Sequence, residues 1–235
     1  MSAESIEILK KYFAIPYSGH VFIFTNKITL EDIQQHTFTE ILSHNNAPQH
    51  HSIPIAILHA IFKFANGLSG KKVLDVGGNT GYFSFLASEA GADVTMVERL
   101  ERQANVATAM ADVRNLKVEI FNCLIQDYLD SSSENFDCAF MFNVFDQMLR
   151  TNEAIAWKVL NEISERCKML FLMMGPTDQI PTAKGLATST PYSIAPAISH
   201  FEKPDYEVIL EKTVYKNYKV LATDIYENRQ LQVYW

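Results

Sequence analysis

At 235 residues the chain is long enough for one large α/β domain and short for two. Hydrophobic residues make up 48% and charged residues 20%, so it can bury a core and is not a disordered chain. The formal net charge is −7 and the only adjacent basic pairs are Lys10-Lys11 and Lys71-Lys72, which argues against a phosphate-tracking surface and so against nucleic acid as a partner.

In chain order, residues 3–13 read as a short amphipathic helix with Ile6, Leu9 and Phe13 on one face. Residues 20–25 read as a strand. A helix is expected from Thr29 to about Leu42, with Glu31 and Asp32 in its first turn. Ser52 and Pro54 open another helix that runs to about Ala65. Residues 1–70 are expected to form an N-terminal cap or lid over residues 71–235, one compact domain.

From Lys72 the pattern alternates. Strands are expected at 73–76, 92–98, 117–121, 136–142 and 168–174, and helices at 81–90, 100–113 and 152–166. Near-continuous apolar strands separated by helices predict a parallel sheet covered on both faces. The tail reads as a helix over 206–216 and strands at 219–226 and 230–235, a closing antiparallel hairpin. The fold class is α/β: a Rossmann-like, mostly parallel sheet with a C-terminal hairpin and an N-terminal helical cap.

The sharpest motif is Asp75-Val76-Gly77-Gly78-Asn79-Thr80-Gly81, between a strand and a helix. Glycine permits a tight turn there and lets a ligand approach the backbone. Ligands of such sheets bind at the carboxyl ends of the strands. Asp75 ends the first strand, and Glu98 ends the second, 17 residues after Gly81. An acid at the second position suits the two hydroxyls of a ribose. An acid at the first would repel a pyrophosphate but suits an ammonium group, which disfavours a nicotinamide cofactor. The loop has no lysine at the P-loop position. Taken singly, Asp75 could equally cap the helix, and Glu98 could pair with Arg99 or Arg102 on the surface.

The run VLDVGGNTGYFSFLASEAGADVTMVE resembles the first and second strand motifs of class I S-adenosylmethionine-dependent methyltransferases. The resemblance extends from about Lys72 to the C-terminus. It implies S-adenosyl-L-methionine as cofactor, with Asp75, Gly77, Gly78, Asn79 and Gly81 at its methionine half, Glu98 and the neighbouring Arg99 at the ribose, and Cys123 and Leu124 flanking adenine. The segment FDCAFMFNVFDQML, with Asn143 closing the fourth strand, is similar to that of small-molecule and glycan O-methyltransferases. Asp146 and Gln147 stand where those enzymes carry two histidines. The Asp/Asn-Pro-Pro-Tyr of amino-methylating enzymes is absent.

A hydroxyl acceptor needs a group to take its proton. Asp146, just beyond the fourth strand, is the candidate catalytic base, although a surface or capping role suits it equally. No histidine has the spacing of a metal site, and Cys123, Cys138 and Cys167 form neither a C-x-x-C motif nor an even set, so no metal is expected. The N-terminal aromatics Tyr12, Phe13, Tyr17, Phe22 and Phe24 are candidates to roof the site. The Pro- and Ser/Thr-rich stretch 175–200 is a candidate acceptor wall. The N-terminus lacks the apolar region of a signal peptide, and no apolar run reaches the roughly 18 residues that span a bilayer, so a cytoplasmic protein off the membrane is expected. The expected function is O-methylation of a small polar molecule or sugar. The alternatives are a methyltransferase acting on nitrogen or a macromolecule, and a catalytically silent cofactor-binding protein.

Overall fold

A computed structural model describes residues 2–13, 52–174, 206–223 and 230–235. Helix α1 (Ala3–Phe13) and helix α2 (Ser52–Ala65) precede β1 (Lys72–Val76), α3 (Tyr82–Glu89), β2 (Asp93–Val97), α4 (Glu101–Arg114) and β3 (Val118–Phe121). There follow α5 (Ile125–Ser131), β4 (Cys138–Phe142), α6 (Phe145–Thr151), α7 (Glu153–Arg166) and β5 (Leu170–Met173). The chain then forms α8 (Tyr206–Glu211), β6 (Tyr218–Thr223) and β7 (Gln230–Tyr234). The strand expected at 20–25, the helix expected at 29–42 and the stretch 175–200 lie outside the described residues.

The seven strands form one sheet in the order β3-β2-β1-β4-β5-β7-β6. β1 to β5 pair in parallel, and β7 runs antiparallel to both β5 and β6. This is the Rossmann-like sheet with a closing hairpin that the alternating pattern predicts. The chain steps outward from β1 to β2 and β3, then returns to place β4 on the other side of β1. The order therefore reverses between β1 and β4, and the crevice at their carboxyl ends is where such sheets hold ligands.

Strand alternation sorts the core onto two faces. On one face Val73, Phe140 and Phe171 pack with Ile57 and Ile61 of α2. On the same face Met96 packs with Leu9 of α1, Phe85 of α3 and Met110 of α4. On the other, Leu74, Met141 and Leu172 pack with Leu129, Phe145 and Leu160 of the helices α5 to α7. Of the described parts of residues 1–70, α1 thus packs on α4 and α2 packs against a sheet face. The Ser2 hydroxyl accepts from the Ser5 backbone N–H at 3.1 Å and caps α1. The Asp112 carboxylate of α4 accepts from the Ser2 N–H at 2.9 Å and from the Ser5 hydroxyl at 2.7 Å. Farther along α1, the fully buried Leu9 belongs to the core cluster that also holds Met110 and Tyr82.

Three elements depart from expectation, each for a local reason. The helix expected over 206–216 stops at Glu211. The Thr213 hydroxyl takes the Ile209 carbonyl, and the Val214 N–H turns away to the Ser164 hydroxyl. Helices α5 and α6, of seven residues each, have no counterpart among the expected elements. Two turns are too few to display a hydrophobic period.

Candidate active site

The loop after β1 is shaped by residues with left-handed backbones. Gly77 has φ +69 and Gly81 φ +92, while Asn79, at φ +54, adopts the region that asparagine tolerates best among non-glycines. Space is also short. A methyl on Gly77 would come within 2.5 Å of the Val144 side chain, and one on Gly78 within 2.7 Å of Met96 and 2.9 Å of the Asp75 carboxylate. One on Gly81 would strike the ring of Phe85. The glycines therefore let the backbone fold closely over the two strand ends. Gly77 N–H donates to the Val97 carbonyl at 2.8 Å, which ties the loop to β2.

Both strand-end acids are buried, Asp75 at 3% exposed and Glu98 at 5%. Asp75 Oδ2 accepts from the Ser84 hydroxyl at 2.6 Å. Burial pushes its carboxyl up to about 6, against the lowering effect of the Ser84 bond and with a further rise from the charge on Glu98. Glu98 does not turn outward to Arg99. Its Oε2 accepts from the Asn79 N–H at 2.9 Å and its Oε1 from the Leu100 N–H at 2.8 Å. Among the described residues neither acid forms an ion pair with a lysine or arginine. Two buried carboxylates without a protein cation, beside a bent backbone, fit a ligand carrying an ammonium and vicinal hydroxyls. The Asn79 Oδ1 atom, buried and without a hydrogen-bond partner, fits the same ligand.

The opposite wall is the segment after β4. Asn143, at φ +57, donates its N–H to the Met173 carbonyl at 2.7 Å and leaves a buried Oδ1 without a partner. Gln147 Nε2 donates to the Asn143 carbonyl. Val144 meets Gly77 and locks this wall to the glycine loop. Asp146 lies in the first turn of α6, 5% exposed. Its Oδ2 is 3.9 Å from the Arg150 guanidinium one turn on, and its Oδ1 is buried without a hydrogen-bond partner.

The structure brings Asp75, Gly77, Gly78, Asn79, Gly81, Glu98 and Asn143 to one crevice. Cys123 and Leu124 follow β3 at the adjoining edge, Cys123 half-buried and Leu124 exposed. Asn122 donates to the Glu98 carbonyl at 2.9 Å, so that edge is fastened to the same site. Arg99 is exposed beside Glu98. Ser84, Asn122 and Val144 were not legible as site residues. Ser84 sits one turn beyond Gly81 on the side facing back to Asp75, a spacing visible only once the helix start is known. Of the histidines, only His59 lies among the described residues, and it is exposed. Among those residues no group of His, Cys, Asp or Glu could hold a metal ion, and no helix is long and apolar enough to cross a membrane.

Comparison with known proteins gives this crevice its family. A family model described as a methyltransferase domain matches residues 49–171. A ubiquinone biosynthesis O-methyltransferase of Actinobacillus pleuropneumoniae serotype 7 is 36% identical over 77 residues, 31% of this chain and 33% of that enzyme. The chain therefore spans about a third of the curated relative it matches. Among solved structures, magnesium protoporphyrin IX methyltransferase from Synechocystis PCC 6803 with bound SAM aligns with 100% of this chain and 98% of its own, at 13% identity and TM-score 0.56. A structure of WbdD aligns with 96% of this chain and 40% of its own, at 15% identity and TM-score 0.65. The chain belongs to the methyltransferase domain family. Its fold is shared with a methyltransferase solved with bound SAM.

Proposed function

We propose that the protein methylates a hydroxyl oxygen of a small polar molecule or sugar. The observation that carries the reading is the pair of buried acids, Asp75 and Glu98, flanking a glycine loop with no protein cation among the described residues to neutralise them. Asp75 would receive the ammonium of the donor's methionine half. Glu98, whose oxygens each spend one lone pair on a backbone N–H, keeps the others for ribose hydroxyls. Gly77, Gly78, Asn79 and Gly81 would line the donor with backbone, Arg99 would border its ribose, and Cys123 and Leu124 would flank its adenine. Bound S-adenosylmethionine supplies a sulfonium methyl, to which the acceptor oxygen bonds as the methyl's bond to sulfur breaks and its electron pair stays on sulfur.

The chain's own task is alignment, exclusion of water and removal of one proton. Asp146 Oδ1 is the proton acceptor in this reading, and Asn143 Oδ1 is a second buried acceptor atom without a partner. The core cluster that Leu9 of α1 shares with Tyr82, the residue after Gly81, supports residues 1–70 as a contributor to the mouth of the site over a domain of residues 71–235. A hydroxyl rather than an amine as target is supported by the name of the Actinobacillus relative and by the absence of the Pro-Pro-Tyr signature after Asn143. Calorimetry tests the donor site: S-adenosylhomocysteine should bind and NADH should not. Labelled donor with a panel of hydroxyl and amine acceptors then tests the chemistry. Transfer to amines alone would overturn the oxygen assignment.

A further inference from the structure

We propose that Gln230 binds the methyl acceptor through its side-chain amide, and that the acceptor carries a carbonyl oxygen besides the hydroxyl that is methylated. This rests on the O-methyltransferase reading. Strand β7 runs Gln230-Leu231-Gln232-Val233-Tyr234. Leu231 and Val233 enter the core on one face of the sheet. Tyr234 enters it on the other, with Leu172, Met174 and Phe145. Alternation puts Gln230 and Gln232 on the Tyr234 face. Two amides on a strand that packs on both faces are costly unless their polar atoms find partners.

The partners form a ladder along the strand. The Tyr234 hydroxyl donates to Gln232 Oε1 at 2.6 Å, and Gln232 Nε2 donates to Gln230 Oε1 at 3.5 Å. The Tyr206 hydroxyl donates to the same Gln230 Oε1 at 2.5 Å, and its ring is stacked on Tyr218 at 4.6 Å and 14°. Gln230 Oε1 is thus engaged on the side of Gln232, toward the middle of β7. The two branches of a planar amide diverge, so Nε2 is turned the other way, past the start of the strand. Gln230 is half-buried, and among the described residues nothing accepts from its Nε2.

The register locates that donor. Leu231 pairs with Met173, the last residue of β5, and Met173 pairs with Phe142, the last of β4. Gln230 lies one residue beyond, at the carboxyl edge of the sheet and in the row of Met174 and Asn143. Two strand spacings set its Cα about 10 Å from that of Asn143. Phe145, which immediately precedes Asp146, packs on the same sheet face. An acceptor whose hydroxyl faces the segment after β4 therefore extends toward Gln230. Tyr206 and Gln232 hold the amide with its N–H outward, so the position selects an oxygen that accepts. A carbonyl oxygen does so, whereas an alkyl group would leave the N–H unmatched.

The test uses the full chain saturated with S-adenosylhomocysteine and a matched pair of probes, 4-hydroxyacetophenone and 4-ethylphenol, which differ in the carbonyl oxygen. Calorimetry and saturation-transfer NMR read their affinities up to about 10 mM. The ketone should bind about three- to tenfold more tightly than the ethyl compound, the worth of one hydrogen bond. Gln230→Met keeps the length of the side chain and should erase the preference, leaving S-adenosylhomocysteine within about twofold. Tyr206→Phe frees the amide to turn and should narrow the preference, a second readout should Gln230→Met fail to fold. Binding of neither probe, equal affinities in the parent, or a preference unchanged in these variants would overturn the assignment. The O-methyltransferase reading fails on a different result: no labelled methyl reaching any hydroxyl while S-adenosylhomocysteine binds.

Discussion

The Glu98 carboxylate accepts a hydrogen bond from the backbone N–H of Asn79 at 2.9 Å. The same side chain that suits a ribose therefore also fixes the crest of the glycine loop. Glu98→Ala should weaken S-adenosylhomocysteine binding by roughly 2–3 kcal/mol, from the loss of charge-assisted hydrogen bonds. Calorimetry on the folded variant measures it. An unchanged dissociation constant would leave Glu98 as a loop brace only.

Asp75 makes the site pH-sensitive. Its carboxyl is pushed up to about 6 by burial, above the ordinary value of 3.8. A raised folded-state value means that the native protein holds this proton more tightly than the unfolded chain. The stability so gained is complete below about pH 4 and is lost as pH rises through about 6. Asp75→Asn, which keeps a partner for Ser84, should therefore be more stable than the parent at neutral pH by about 3 kcal/mol, with the gap closing on acidification to pH 4. Urea unfolding across that range checks it. Since an ammonium ligand needs the ionised form, affinity for S-adenosylhomocysteine should fall as pH drops below about 6.

Asp146 and Arg150 lie one helical turn apart at 3.9 Å, with the other Asp146 oxygen unpartnered. Asp146→Asn keeps the shape and removes the base, so turnover should fall about 10²–10⁴-fold while S-adenosylhomocysteine still binds. Near-normal turnover would take Asp146 out of the mechanism.

The glycines separate backbone strain from crowding. Gly67 has φ +81 with open space around it, whereas Gly81 has φ +92 and faces the Phe85 ring. Gly67→Ala should cost roughly 1–2 kcal/mol of strain alone. Gly81→Ala should cost roughly 2–4 kcal/mol, strain plus overpacking. Chemical denaturation of the two variants compares them, and equal losses would show that Phe85 yields without cost.

What the sequence made legible follows from period and position. The apolar run from Val73 to Val76, the glycines and the acids Asp75 and Glu98 place the sheet and its crevice, because strand, turn and strand end each leave a local signature. The bracing contacts leave none. Ser84 reaches Asp75 from nine residues away, Asn122 reaches the Glu98 carbonyl from 24 away, and Val144 meets Gly77 across two strands. The orientation of Glu98 was also hidden, since an exposed arginine directly follows it while its actual partners are backbone groups.

The place of β7 has a consequence for synthesis. It is the last strand in sequence but lies between β5 and β6 in the sheet. Until residues 230–234 have left the ribosome, β5 presents an open edge and β6 has no neighbour to pair with. The hairpin cannot be completed in stages from the N-terminus, as the parallel strands can. A nascent chain stalled before residue 230 thus carries an exposed template for strand pairing with other chains, a hazard that ends only when β7 inserts.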